Sequence, residues 1–266
     1  MILHLAAVLA FALIGLSLGI LGAGGAILTI PVCVYLLRMD AVDAISSSLF
    51  VVCTTSLAGL TRYLRQGLVD RRAVLYFGLP SVVSVWLFRR YALPAIPDAV
   101  GQVGDVVIDR SGALLVAFSL LVIFAGYKMI RKSPPPDFVR NGLPPKISFL
   151  LHGLLVGAIT GLFGAGGGFL IVPTLVLLLE MDFKTAVGSS LCIISLNTAV
   201  GMLSHIELLH SVPWSDLLGF TAVALGFSLA GSHLAPRLPA QKLQPAFGCL
   251  LIAVAAFILY EQLASH

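Results

Sequence analysis

Two glycine clusters carry the residue pattern best suited to chemistry. Gly22-Ala23-Gly24-Gly25 and Gly164-Ala165-Gly166-Gly167-Gly168 each open a short apolar stretch that contains a proline, Pro31 or Pro173. Glycine adopts backbone angles closed to other residues and lets a ligand or a second backbone approach closely. The N–H groups at a helix start lack intrahelical partners, carry partial positive charge and can hold an anion. Hydroxyls and one amide follow in the next apolar stretch of each half. The first has Ser46, Ser47, Ser48, Thr54, Thr55 and Ser56; the second has Ser189, Ser190, Ser195, Asn197 and Thr198. The chemistry this allows is anion binding by backbone dipoles, hydroxyls and an amide in a site at the membrane midplane, with Gly22, Gly24, Gly25, Ser47 and Ser48 of the first half facing Gly164, Gly166, Gly167, Ser189, Ser190 and Asn197 of the second. Two plainer roles compete with it. Small residues let helices cross closely, as the spacing of Gly15/Gly19 and Gly157/Gly161 suggests. Hydroxyls in a helix commonly bond the carbonyl one turn back.

Other chemistries find less support. The cysteines, Cys33, Cys53, Cys192 and Cys249, lie in apolar segments without CxxC spacing, which speaks against zinc or a disulfide framework. Cys53 and Cys192 share segments with the serine pairs and are candidates to line a path. Arg62, at the end of its segment, is a candidate to attract a ligand at a mouth. His205 is a candidate coupling group, as are His152 and His233, because histidine titrates near neutral pH. No Lys, Arg, Asp or Glu falls deep in an apolar segment, so the default intramembrane proton carrier is missing. There is no HExxH, no nucleotide loop and no GxSxG. No cofactor, metal or catalytic residue is expected.

The elements that must position these residues follow from composition. The chain has 266 residues, 59% hydrophobic and 11% charged, where a soluble domain has about 25% charged. Such a chain cannot cover a soluble surface, which excludes a cytosolic enzyme, a secreted disulfide scaffold, a disordered regulator and a nucleic-acid binder. Its partner is the lipid bilayer. Backbone groups in hydrocarbon must pair internally, and long apolar runs without alternation predict helices rather than a barrel. Ten segments are expected, at roughly 3–21, 24–37, 42–62, 73–93, 112–131, 148–163, 166–180, 185–204, 215–235 and 246–263. Segments 24–37 and 166–180 are short of the roughly 20 residues a crossing needs, so each is expected to form a re-entrant hairpin with the segment before it. The first segment is read as an arm of the first such hairpin, not a signal peptide, because no basic residue precedes it and its repeat partner lies mid-chain.

Loop charge sets the expected orientation. With a hairpin and three crossings per half, one side carries twelve Lys and Arg residues, among them Arg62, Arg65, Arg71, Arg72, Lys128, Arg131, Lys132, Arg140 and Lys146. The other side carries Arg38, Arg89, Arg90 and Arg110. The basic side is expected to be cytoplasmic, with both termini extracytoplasmic. The run Lys132-Ser133-Pro134-Pro135-Pro136-Asp137 reads as a semi-rigid linker. It divides the chain into an N-terminal repeat, 1–132, a linker, 133–147, and a C-terminal repeat, 148–266.

The halves align without a gap at a shift of 142 residues. Between 15 and 59, 18 of 45 positions are identical, including Gly22, Gly24, Gly25, Pro31, Met39-Asp40 and Ser47-Ser48-Leu49. Shared apolar bias does not place glycines, prolines and serine pairs in one register. An odd number of crossings per half makes the second copy inverted. The fold class expected is therefore an all-α integral membrane protein of two inverted repeats, each a glycine-broken hairpin plus about three transmembrane helices. That pattern is the mark of secondary transporters.

The repeated motif, Gly22-Ala-Gly-Gly-Ala26 to Pro31 and Gly164-Ala-Gly-Gly-Gly168 to Pro173, each before a serine-containing helix, resembles the TauE/SafE sulfite exporter family over essentially the whole chain. The resemblance implies a bacterial inner-membrane carrier of small sulfur anions such as sulfite, sulfoacetate or other organosulfonates. The first copy has Ala26 where the second has Gly168, so the half-sites need not be equivalent. An anion channel, an uptake permease and an intramembrane cysteine enzyme acting on sulfur compounds are the alternatives, and a homodimer is possible.

Overall fold

The structure is a computed structural model describing residues 2–92, 99–103, 106–131, 144–163, 168–203 and 214–264. Ten helices run through them: α1 Ile2–Leu21, α2 Gly24–Pro31, α3 Ala41–Arg65, α4 Leu79–Leu87, α5 Arg110–Arg131, α6 Pro145–Phe163, α7 Gly168–Pro173, α8 Phe183–Leu203, α9 Trp214–Leu234 and α10 Ala240–Ala264. Each coincides with an expected segment. The largest differences are where π-helical turns take over from the α-helix within the segments 24–37, 73–93 and 166–180, and at the start of α10, which precedes the expected 246. Pro145 opens α6, where its missing N–H costs nothing, and Pro245 sits inside the early part of α10. Five helices are long and apolar enough to cross a membrane among the described residues: those containing His4–Leu21, Asp43–Arg65, Phe183–Leu203, Leu217–Arg237 and Ala240–Tyr260.

One departure from an all-α chain is a short antiparallel pair, β1 Ala99–Val103 and β2 Val106–Asp109, with Val103 opposite Val106. Its valines and isoleucine favour extended backbone, and its length is far below a helical crossing. Most of the proline linker lies outside the described residues, and α6 begins at Pro145, inside the stretch read as its end.

The prolines act alike in both halves. A proline interior to a helix removes one backbone donor and its ring meets the carbonyl four residues back. After Pro31 the backbone widens into a π-helical turn, Val32–Leu36, and after Pro173 into another, Thr174–Leu178. Both turns close the same way. Arg38 and Glu180, equivalent at the 142-residue shift, take φ of 54° and 52°. The N–H groups that follow, of Met39 and Met181, bond the carbonyls of Cys33 and Leu175. Left-handed backbone costs a non-glycine residue about 1–2 kcal/mol, and most at a β-branched side chain. Glu180→Val is expected to unfold in detergent at a lower temperature than Glu180→Gly, by a difference of about 1–2 kcal/mol, as followed by thermal scanning.

Helix directions follow from close contacts. Gly15 and Gly19 of α1 lie against the backbones of Ala224 and Ser228 of α9, which therefore run parallel. Gly153, Gly157 and Gly161 of α6 lie against Phe77, Ser81 and Val85 along α4 and the π-helical turn Ala73–Gly78 before it, again in parallel. All these glycines serve close crossing. The helices α3 and α8, equivalent in sequence, run antiparallel. A Cβ on Gly201 would stand 3.3 Å from Leu49, one on Gly59 would stand 3.5 Å from Leu191, and Cys53 Sγ lies 3.8 Å from the Ser195 carbonyl oxygen. Each of these contacts pairs positions whose equivalents also touch: Leu49 matches Leu191, Gly59 matches Gly201, and Cys53 matches Ser195 itself. The pair α5 and α10 is also antiparallel, meeting at Gly126 and Gly248, where a Cβ on either would come within 2.7 Å of the other's carbonyl oxygen.

Candidate anion-binding site

The hairpin of α1 and α2 brings the first glycine cluster into the interior. Gly22 turns the chain with φ of 80°, and no side chain caps the start of α2 at Ala23. Gly24 and Gly25 are buried. The space a side chain would fill differs at each. At Gly25 it is taken by the Ile14 carbonyl and Leu18 of α1, at Gly24 by the Leu250 side chain of α10 at 2.6 Å, and at Gly22 by Ser190 Oγ at 2.7 Å and Val187 at 2.9 Å. The cluster is thus closely packed, and its turn abuts the serine pair of the opposite half. Gly164, Gly166, Gly167 and His205 lie outside the described residues. Gly168 opens α7 against the Ile194 side chain.

The hydroxyls divide into committed and uncommitted donors. Ser48 donates to the Ile45 carbonyl at 2.9 Å, and its equivalent Ser190 to the Val187 carbonyl at 2.8 Å. Thr54, Thr55, Ser56, Ser195 and Thr198 likewise bond carbonyls of their own helices, the bond expected of a lone intramembrane hydroxyl. The other serine of each pair behaves differently. Ser189 Oγ accepts the Asp70 N–H at 2.9 Å, which leaves its own proton uncommitted. Ser47 is fully buried and its Oγ has no hydrogen-bond partner. Burying a hydroxyl without a partner costs about 1–3 kcal/mol, and such groups are rare in folded chains.

Asn197 is buried on α8 and reaches Ser81 on α4. Its Nδ2 stands 3.4 Å from Ser81 Oγ and its Oδ1 3.5 Å. Both are long against the ordinary 2.9–3.0 Å of a bond donated by nitrogen. The Ser81 hydroxyl is better placed on the Gly78 carbonyl, at 2.9 Å. Asn197 therefore keeps donor capacity that its surroundings use weakly. Sequence reasoning did not single out Ser81. Its partnership spans 116 residues, and no local pattern signals it.

The remaining candidates lie around this core. Cys53 is buried at the α3–α8 crossing, and Cys192 is half-buried on α8. Arg62 is near the end of α3, its Nε buried without a hydrogen-bond partner. His152 Nδ1 lies 2.7 Å from the Ser148 carbonyl oxygen and His233 Nδ1 lies 2.9 Å from that of Leu229, each within its own helix. Among the described residues no group of His, Cys, Asp or Glu could hold a metal ion.

Distances along α8 locate these groups. Ser190 is five residues, about 7.5 Å, from Ser195, which faces Cys53 at the middle of α3. The first glycine turn is therefore displaced from the middle of α3 towards its end, and not at the midplane level expected from the sequence. Tyr63 marks that level: it is buried, and its hydroxyl donates to the Gly19 carbonyl at 3.1 Å.

Comparison with known proteins points to a membrane transporter. The family model described as "Sulfite exporter TauE/SafE" matches residues 7–258. A "Probable membrane transporter protein" of Xylella fastidiosa is 30% identical over 260 residues, covering 95% of this chain and 94% of its own. Proteins so named in Haemophilus influenzae and Bacillus subtilis are each 26% identical, over 92% of this chain and 93% of theirs. No solved structure matches. With a family match that takes in both glycine clusters and both serine helices, the protein is a multi-pass membrane transporter, and the chain belongs to the TauE/SafE sulfite exporter family.

Proposed function

We propose that the protein exports small sulfur anions, sulfite or an organosulfonate such as sulfoacetate, across a bacterial inner membrane by alternating access between two inverted repeats. The observation that carries this reading is the meeting of the α1–α2 glycine turn with Ser190 of the opposite half. It joins an uncapped helix start, with its partial positive charge, to the helix whose Ser189 and Asn197 retain donor capacity. The antiparallel packing of the equivalent helices α3 and α8 supports the inverted relation. The repeats are assigned to 1–132 and 148–266, and the basic side to the cytoplasm with both termini outside.

Gly22, Gly24 and Gly25 shape the turn and bring the start of α2 against the serine helix of the opposite half. Ser47, Ser48, Ser189, Ser190 and Asn197 supply hydroxyls and an amide, and Gly164, Gly166 and Gly167 are assigned the corresponding turn of the second half. Arg62 draws the anion to the mouth. A sulfonate or sulfite has several oxygens that accept hydrogen bonds, so neutral donors share its charge without a buried cation. Export needs no coupling ion. An inside-negative potential favours exit by about 2.3 kcal/mol per charge per 100 mV.

The test is flux in proteoliposomes under an imposed potential. Expected are saturable fluxes of sulfite or sulfoacetate that speed up with substrate on the far side and stop when the potential is collapsed. A conductance that neither saturates nor shows exchange would make the protein a channel. Uphill uptake driven by a proton gradient would overturn export.

A further inference from the structure

The loop between α3 and α4 does more than connect them. It begins with Gln66 and with Gly67 at φ of 68°, both exposed, and then folds inward. The Leu68 N–H donates to the Tyr63 carbonyl at 2.9 Å. Leu68 and Val69 are half-buried and pack on the main hydrophobic core. The Leu68 carbonyl lies against Gly188 of α8, where any Cβ would collide with it. Two residues on, the Asp70 N–H reaches Ser189 Oγ at 2.9 Å. The Asp70 carboxylate accepts the Arg72 N–H at 2.7 Å. Gly188 and Ser189 immediately precede Ser190, which abuts the Gly22 turn.

The loop is therefore seated on the helix segment that leads to the candidate site, at the face bearing Arg62, Arg65, Arg71 and Arg72. Its seat on α8 rests on a glycine without a Cβ and one hydrogen bond to a serine hydroxyl, beside the half-buried Leu68 and Val69 and the backbone bonds that tie residues 66–68 to the end of α3. A loop held by so few contacts opens locally at low cost compared with a helix. We infer that residues 66–70 form the closure of the transport path on the basic face, with Ser189 as its latch. Seating the loop occupies Ser189 with a backbone donor; lifting it uncovers Ser190 and the glycine turn and frees Ser189 for substrate. Binding and closure then compete for one hydroxyl. This inference rests on the transport reading for the meaning of the path, but its geometry stands apart from any substrate.

The experiment reads access without using flux. A variant lacking the four cysteines and carrying Ser190→Cys is reconstituted, and its labelling by a membrane-impermeant maleimide is timed from each face. Labelling from the basic face is expected to be slow in this parent. With Ser189→Ala added, one hydrogen bond to the loop is lost and basic-face labelling is expected to be about fivefold faster, with the opposite face unchanged. Gly67→Ala, which strains the left-handed turn in open space, is expected to act in the same direction and serves if the first variant is poorly folded. Unchanged basic-face rates in both variants, or equal acceleration at both faces, would overturn the closure. A face-specific acceleration in protein that moves no sulfur anion would leave the closure standing and remove the substrate reading.

Discussion

Gly25→Val is expected to yield little folded protein and no flux. A Cβ at this position overlaps the Ile14 carbonyl of α1, and Leu18 stands 2.9 Å from it on the same side. The obstruction is backbone, so relief requires α1 and α2 to move apart, and with them the turn at Gly22. Overpacking a tight site costs about 1–3 kcal/mol and sometimes more; contact with a backbone carbonyl puts this case at the upper end. Gly24→Val should be milder, because the atom in its way is the end of the Leu250 side chain, which can rotate. Gly219→Ala is the control: nothing lies within 4 Å of its added Cβ, and alanine favours a helix interior by about 1 kcal/mol over glycine. Yield after extraction, the thermal midpoint and flux together check the order Gly25 below Gly24 below Gly219. Equal behaviour of Gly25→Val and Gly24→Val would show that the hairpin tolerates separation of its arms.

Asn197→Leu should do the opposite: preserve the fold and remove function. Leucine is of similar size and leaves Ser81 its better bond to the Gly78 carbonyl. The contacts it deletes are long, 3.4 and 3.5 Å, and a buried amide so weakly paired adds little to stability. The thermal midpoint is expected to hold or rise. A hydrogen bond to a charged ligand is worth about 1.5–3 kcal/mol, so binding of the anion should weaken roughly 10- to 100-fold. Flux at low substrate should fall accordingly and recover in part at high concentration. Full flux with a lowered midpoint would assign Asn197 to the packing of α8 on α4.

Part of this architecture was legible in residue order. Glycine and proline act locally: the turn at Gly22 and the widened backbone after Pro31 and Pro173 arise from the residues at those positions. The repeat was legible because glycines, prolines and serine pairs recur in one ungapped register. The β1–β2 pair was not, being too short and too weakly patterned beside the spans. Gly15, Gly19, Gly157 and Gly161 announced close crossings but not their partners. The serine pairs pointed to a site without telling which member of each pair is free.

Composition and residue order alone determined that this chain is a helical membrane protein, that its halves share a residue pattern at a shift of 142, and that its long apolar segments hold no Lys, Arg, Asp or Glu deep within them. They did so because desolvation of the backbone and of charge depends on residue type and run length. Only the tertiary structure decided that Gly22 meets Ser190, that Cys53 faces Ser195, that Asn197 reaches Ser81 and that the 66–70 loop rests on Gly188 and Ser189. In a chain whose helices are apolar on nearly every face, hydrophobic periodicity does not say which face meets which neighbour. Those choices come from close steric fit between backbones far apart in the chain, and the fit exists only once the whole fold has formed.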